Sequence, residues 1–134
     1  MRSVGRVTRV QGLRGATTAD ANTKYAILEA TGELLGQLVE ANGIQAEDIA
    51  AAFFTTTQDL NAEFPAVAAR KLGWEHVALL CSHEMNVPGG LPRCLRVLMH
   101  VNTNRAPNEI RHVYLREATA LRPDLATDHT EASS

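Results

Sequence analysis

The chain has 134 residues, a formal net charge of −2 and a hydrophobic content of 45%. The length suits one domain, and this composition excludes a disordered or collagen-like chain. The slight acidity excludes a broadly basic nucleic-acid binder, and the longest apolar run, residues 49–54, is far shorter than the roughly 18 residues of a membrane span.

The first half of the chain predicts a strand, a helix and a second strand. Residues 4–14 form the first predicted strand, and residues 14–18 then turn the chain. Apolar side chains recur at helical spacing over 22–42, and Gly43 suits the left-handed position that ends a helix. Residues 49–56 are rich in apolar and β-branched types, which is typical of a buried strand.

The second half of the chain predicts a short helix and three further strands. We expect the helix over 61–72, strands over 74–81, 94–102 and 111–115, and a loop over the Pro- and Gly-rich residues 82–92. The order β-α-β-α-β-β-β indicates an α+β fold, a mixed sheet with helices on one face. Residues 1–122 are expected to form a single domain, and the polar residues 123–134 a mobile tail.

The sparse cysteines and histidines bear on location and cofactors. Cys81 and Cys94 are too few for a disulfide framework, and the five histidines show no metal-binding spacing. The N-terminus lacks the apolar stretch of a secretory signal. The sequence therefore predicts a cytoplasmic protein without metal or cofactor, and without nucleic-acid or membrane partners.

Arginine is unusually frequent among the basic residues, with eleven Arg against two Lys. A planar guanidinium suits carboxylate and phosphate binding, although a GC-rich genome would produce the same bias. Arg96 lies in the middle of the predicted strand 94–102. Because side chains alternate along a strand, its side chain points to the face opposite that of Leu95 and Val97. Arg96 is therefore either a solvent-facing side chain or a rigidly held anion ligand, and the same two interpretations apply to Arg14, Arg70 and Arg122.

The segment Cys81-Ser-His83-Glu84 follows the third predicted strand and admits several interpretations. Cys81 and His83 suggest a nucleophile pair, and the three chemically active side chains together suggest a metal site. Alternatively, the thiol lies beside a ligand while Glu84 accepts a hydrogen bond from a substrate hydroxyl, or the segment is a plain loop. His112, in a predicted strand, is more typical of a structural histidine than of a catalyst.

Several of these segments occur together, in this order, in one known family. The segments are Arg14-Gly-Ala-Thr-Thr18, Phe64-Pro-Ala66, residues 81–84, Cys94-x-Arg96, Arg111-His-Val-Tyr-Leu115 and Leu121-Arg-Pro-Asp-Leu125. The chain resembles the monofunctional, trimeric chorismate mutases of the pseudo-α/β-barrel type from about residue 9 to residue 125. Each segment alone is weak, but their common order is specific.

The resemblance implies a cofactor-free rearrangement of chorismate to prephenate in aromatic amino-acid biosynthesis. It also implies a homotrimer with active sites between adjacent subunits. One subunit would contribute Phe64, Ala66, Val67, Arg70, Leu79, Leu80 and Cys81 to each site. Its neighbour would contribute Arg14, Glu84, Arg96, Tyr114 and Leu121, with Arg122 near the mouth.

The roles implied by the resemblance divide into catalysis and binding. Arg96 would lie beside the breaking ether bond, Arg14 would bind a carboxylate and Glu84 would hold the ring hydroxyl. Two positions depart from the family pattern: Val67 stands where Lys is common, and Leu80 where Thr is common. We therefore expect weakened substrate affinity, and the alternative is a catalytically weak relative that acts as a metabolite-binding or regulatory module.

Overall fold

A computed structural model describes residues 7–122, which form a mixed five-stranded sheet in the order β3-β2-β4-β1-β5. The strands are β1 (Arg9–Thr18), β2 (Ile49–Thr56), β3 (Ala78–His83), β4 (Cys94–Thr103) and β5 (Val113–Tyr114). The helices are α1 (Lys24–Asn42), α2 (Ala66–Lys71) and three short 3₁₀ helices, Ala46–Asp48, Pro107–Glu109 and Arg116–Leu121. The predicted α+β class is confirmed.

Helix α1 supplies most of the apolar surface that covers the sheet. Its side chains Leu34, Leu35 and Leu38 are fully buried because they share one stripe of the helix. The Thr23 side chain caps the N-terminus by accepting the Ala26 backbone N–H at 3.1 Å. Gly43, with φ 59°, ends the helix as the sequence predicts.

Helix α1 packs against one face of the sheet, and the other face is more exposed. The side chains of Leu13, Phe54 and Val97 belong to the core cluster beneath α1, so they define the helix face. Side chains one position along each strand point the other way, because successive residues alternate. We call this second surface the open face; it carries Arg14, Arg96 and other partly exposed residues.

Strand β1 does not end where the sequence predicts. The proposed turn over 14–18 is wrong, because these residues continue the strand and pair antiparallel with β4, from Arg14 opposite Leu98 to Thr18 opposite Cys94. Burial explains the outcome: Ala16 and Thr17 are fully buried inside the sheet, which a surface turn would not allow. The predicted start at residue 4 lies outside the described residues.

The boundaries of three other elements also differ from those predicted. Helix α2 covers only 66–71 of the predicted 61–72, because the Asn22 side chain accepts the backbone N–H groups of Asn61 and Ala62 and holds them outside the helix. Strand β3 is shifted from 74–81 to 78–83 because its end pairs with β2 as far as Thr56. Strand β5 is shorter than predicted, and the 3₁₀ helix over 116–121 was not predicted. The tail at 123–134 lies outside the described residues.

At Gly15, strand β1 packs closely against helix α1. A Cβ atom there would lie 2.8 Å from Leu38 Cδ1 and 3.1 Å from Leu34 Cδ1. Both leucines are fully buried and cannot move into solvent. We therefore expect Gly15→Ala to lower the free energy of unfolding by about 1–3 kcal/mol, measured by urea denaturation.

Gly36→Ala is the matched control for this prediction. Gly36 lies on the exposed side of α1, and nothing lies within 4 Å of a Cβ atom built there. This substitution should raise the free energy of unfolding by roughly 0.5–1 kcal/mol, because alanine favours a helix interior. Equal stabilities of the two variants would contradict the close contact at Gly15.

Candidate active site

A row of residues crosses all five strands on the open face, with Arg96 at its centre. Cross-strand pairing places Thr55 on one side of Arg96 and Ala16 on the other. Ser82 lies beyond Thr55, and Tyr114 lies beyond Ala16. Because paired residues of neighbouring strands point to the same face, this row gathers side chains from segments far apart in sequence.

The Arg96 guanidinium is held on this face by an acidic partner. Its Nε atom lies 3.4 Å from Glu84 Oε2, and the side chains of Arg96 and Glu84 are 48% and 30% exposed. The Thr55 hydroxyl donates to the same Glu84 oxygen at 2.6 Å. Glu84 follows β3 and is fixed there by its backbone N–H, which donates to the Thr56 carbonyl at 2.8 Å. Arg96 thus lies within β4, on the face opposite Leu95 and Val97, as strand alternation predicts.

Arg14 lies on the same face, diagonal to Arg96. It pairs with Leu98, two residues along β4 from Arg96, and such diagonal positions are about 7–8 Å apart. Its backbone N–H donates to His112 Nδ1 at 3.0 Å. Two guanidinium groups on one rigid sheet form a surface suited to an anion with two carboxylates.

Apolar residues border this charged surface on the β5 side. Tyr114, Ala16 and Ala118 form a small buried cluster, and Leu91 and Leu121 pack against it. The cluster brings the 3₁₀ helix Arg116–Leu121 onto the sheet beside Ala16. Tyr114 and Leu121 thus lie together at the β5 side of the sheet, next to Ala16, which pairs with Arg96.

The second set of predicted residues lies around helix α2 and the outer strand β3. Leu79 and Cys81 point to the helix face, next to Ala66, whose backbone N–H donates to the Cys81 thiol. Val67 is half-buried in α2, and Arg70 is exposed. Phe64, just before α2, is 66% exposed and lines a cleft of about 320 Å³ together with Cys81.

The sheet itself separates these two sets within one chain. Cys81 pairs with Phe54 on the helix face, whereas Arg96 pairs with Thr55 on the open face. A small ligand in contact with Arg96 therefore cannot also contact Cys81 of the same chain. Leu80 is the exception in its set, because it points to the open face of the edge strand β3 and is 61% exposed.

The environment of Cys81 disfavours the nucleophile-pair interpretation. Burial raises the pKa of the Cys81 thiol above its ordinary value, against smaller opposing effects of the Ala66 hydrogen bond and the Arg70 charge. His83 directs its Nδ1 atom to Thr56, 3.1 Å from the hydroxyl and 3.3 Å from the carbonyl oxygen. A thiol whose pKa is raised and whose neighbouring histidine is engaged elsewhere is not an activated nucleophile.

The metal-site interpretation also finds no support in the part of the chain that the structure describes. Within residues 7–122, no three His, Cys, Asp or Glu side chains form a group able to hold a metal ion. No helix in the same range is long and apolar enough to cross a membrane.

Two contributors to the site did not emerge from the sequence. Thr55 anchors Glu84, and its place next to Phe53 and Phe54 gave only a strand signal. His112 contacts Arg14, although the two are 98 residues apart. Alternation along β2 would have shown that Thr55 points away from Phe54. Only the strand order and register show that Thr55 lies beside Arg96.

Comparisons with known proteins show the family to which this chain belongs. Residues 10–125 match the family model described as chorismate mutase type I. The chain belongs to the type I chorismate mutase family. It is 54% identical over 117 residues to chorismate mutase AroH of Thermus thermophilus, a match that covers 87% of this chain and 96% of the relative.

Other relatives support the same assignment in sequence and structure. Chorismate mutase AroH of Bacillus subtilis is 45% identical over 124 residues, which cover 91% of this chain and 98% of the relative. A solved chorismate mutase structure from Clostridium thermocellum superposes with a TM-score of 0.81 at 47% identity, covering 82% of this chain and 98% of the other. The family expected from the sequence is thereby confirmed.

Proposed function

We propose that this protein is a chorismate mutase, an isomerase that rearranges chorismate to prephenate in aromatic amino-acid biosynthesis. The observation that carries the proposal is the pair of guanidinium groups, Arg96 and Arg14, mounted side by side on one sheet face of a chain from this family. Chorismate carries two carboxylates, and this surface offers two cations. The cytoplasmic location expected from the sequence is part of the same proposal.

Arg96 is assigned the catalytic role because the reaction develops negative charge, which a guanidinium stabilises. In this Claisen rearrangement the C–O bond breaks slightly before the new C–C bond forms, so negative charge grows on the ether oxygen. A fixed cation beside that oxygen stabilises the transition state more than the bound substrate, which is what raises kcat. Glu84 and Thr55 hold the Arg96 guanidinium in place before substrate arrives.

The remaining site residues bind and shape the substrate. Arg14 binds a carboxylate of the substrate, and Arg122 lies near the mouth of the site. Glu84 accepts a hydrogen bond from the ring hydroxyl. Enzymatic accelerations amount to at least about 8 kcal/mol, whereas one well-placed donor contributes about 2.7–4 kcal/mol. Electrostatic stabilisation by Arg96 is therefore insufficient alone, and the apolar side chains must hold the substrate in its compact reactive shape. Those apolar side chains are Phe64, Leu79, Leu80, Tyr114 and Leu121, with Ala66, Val67, Arg70 and Cys81 completing the lining.

A homotrimer with sites between subunits is part of the proposal. The set around Arg96 and the set around Cys81 lie on opposite faces of the sheet, so a complete pocket requires one set from each of two chains. The exposed apolar side chains Phe64 and Leu80 are available to such an interface. In a threefold ring each subunit presents one surface to its neighbour and receives a different surface, which joins the two sets three times.

A substitution at Val67 tests whether this residue weakens substrate binding. The side chain is half-buried in helix α2, two residues after Pro65, which lines the cleft together with Phe64. A lysine at this position would add a cation for the substrate dianion. We expect Val67→Lys to lower KM by about three- to tenfold with little change in kcat, since an exposed charge pair contributes modestly to binding. An unchanged KM would contradict the idea that Val67 weakens affinity.

Direct assay separates the enzyme from the alternative of a metabolite-binding module. Purified protein should consume chorismate and form prephenate without added metal or cofactor, followed by the loss of chorismate absorbance. Saturable binding of chorismate without turnover would instead indicate the regulatory alternative. A protein that neither binds nor converts chorismate would refute the proposal.

A further inference from the structure

His112 lies directly before β5, at the point where β1 begins to pair with that strand. The parallel ladder between these strands starts at Gly15 opposite Val113. The Ala16 carbonyl accepts a hydrogen bond from the Leu115 N–H at 2.9 Å, so the backbone N–H and C=O groups of the even-numbered residues of β1 point towards β5. The N–H of Arg14 also points to this side and finds the imidazole Nδ1 of His112 at 3.0 Å. The ring thus extends the ladder by one residue, in place of a backbone carbonyl.

The peptide that carries His112 is itself fixed from the helix side. Asn42, the last residue of α1, is buried and holds both polar groups of Arg111. Its amide nitrogen donates to the Arg111 carbonyl at 2.9 Å, and its amide oxygen accepts the Arg111 N–H at 2.8 Å. The imidazole is therefore presented to Arg14 from a backbone that has little freedom to move.

We propose that His112 is a positioning residue: its neutral imidazole accepts the backbone N–H of Arg14 and fixes the point from which the Arg14 guanidinium reaches a substrate carboxylate. This inference rests on the function proposed above. It gives His112 a specific role in substrate binding, beyond that of a histidine with only a packing role.

The geometry dictates the protonation state of the ring. Since Arg14 N–H is a donor, Nδ1 must be the unprotonated nitrogen and the ring proton resides on Nε2. Burial lowers the pKa of His112 below its ordinary value of 6.5, and the charges of Arg14 on β1 and Arg122 after the 3₁₀ helix lower it further. At neutral pH the acceptor is therefore intact.

Acidification should release Arg14. A doubly protonated imidazole has no acceptor nitrogen, so the hydrogen bond is lost as pH falls through the lowered pKa, at a pH below 6.5. The folded state binds this proton less readily than the unfolded chain, so stability also falls in that window. We expect KM for chorismate to rise there while kcat changes little, because Arg14 binds substrate and Arg96 catalyses the rearrangement.

Two substitutions distinguish positioning from packing. His112→Leu fills similar space without an acceptor and should raise KM at neutral pH roughly tenfold, the effect of about one lost hydrogen bond. His112→Asn places an amide oxygen the same number of bonds from Cα as Nδ1, so KM should stay within about threefold of the parent. The asparagine cannot titrate, so the rise of KM in acid should disappear. His76→Leu, at an exposed histidine in the turn before β3, is the matched control and should leave KM and its pH profile unchanged.

A spectroscopic measurement on the unmodified protein keeps this test separate from the proposed function. In ¹H–¹⁵N spectra, the Arg14 amide shift should follow the titration of the His112 ring with the same midpoint, whether or not the protein turns over chorismate. An Arg14 amide that ignores this titration would overturn the inference. An equal rise of KM in the folded His112→Asn and His112→Leu variants would also overturn it. Absence of mutase activity together with the coupled titration would refute only the function.

Discussion

Replacing Arg96 with alanine is expected to lower kcat by about 10²–10³-fold, with a smaller change in KM. The guanidinium is the cation that the fold holds at the centre of the open face, where it would meet the charge developing on the ether oxygen. The half-exposed position of the side chain and the remaining Thr55 hydrogen bond to Glu84 mean that the fold should tolerate the change. Steady-state kinetics with chorismate measure the effect, and the thermal unfolding midpoint checks the fold.

Arg105→Ala is the matched control for the Arg96 substitution. Arg105 follows β4 at the end of the strand farther from Arg96. Its hydrogen bonds with Gln11 and Thr103 are made by its backbone atoms, which the substitution retains. This variant should keep kcat within about twofold, as expected for a residue away from the chemistry. Comparable losses in both variants would remove the electrostatic role of Arg96.

Two inactive variants should restore activity when they share an oligomer. Arg96→Ala alters the set on the open face. Phe64→Asp alters the set beside helix α2, by adding a negative charge to the cleft that the proposal assigns to the anionic substrate. If each site takes one set from each of two subunits, random mixing gives about a quarter of sites with both sets intact, one half times one half. Activity of a mixture refolded together should therefore approach a quarter of the parent value.

The control for this experiment mixes two variants damaged in the same set, Arg96→Ala and Arg14→Ala. Every site then receives a damaged open-face set, so no activity should return. Sedimentation analysis of each sample measures the oligomeric state. Failure of the first mixture to recover, with mixed oligomers present, would show that a site is built within one chain.

The sequence by itself determined the elements whose signals are local. The leucine spacing of α1 and the glycine that follows it specify a long amphipathic helix, and the structure confirms it over Lys24–Asn42. Alternation in β4 placed Arg96 on the face opposite its apolar neighbours, and the pairing of β4 confirms this placement. The ordered set of motifs was sufficient to identify the family, because several motifs that are weak alone become specific when they occur in one common order.

The tertiary structure alone decided how the residues combine. The sequence predicted a turn at 14–18, but pairing with β4 makes this segment a strand, because the energy of buried cross-strand hydrogen bonds outweighs local turn preference. The strand order then brings Thr55, Arg96 and Ala16 into one row, and it puts Cys81 on the other side of the sheet. Register and strand order depend on contacts between segments far apart in the chain, as between His112 and Arg14. A local pattern contains no information about such contacts, so only the folded chain shows which set of residues each face of the sheet carries.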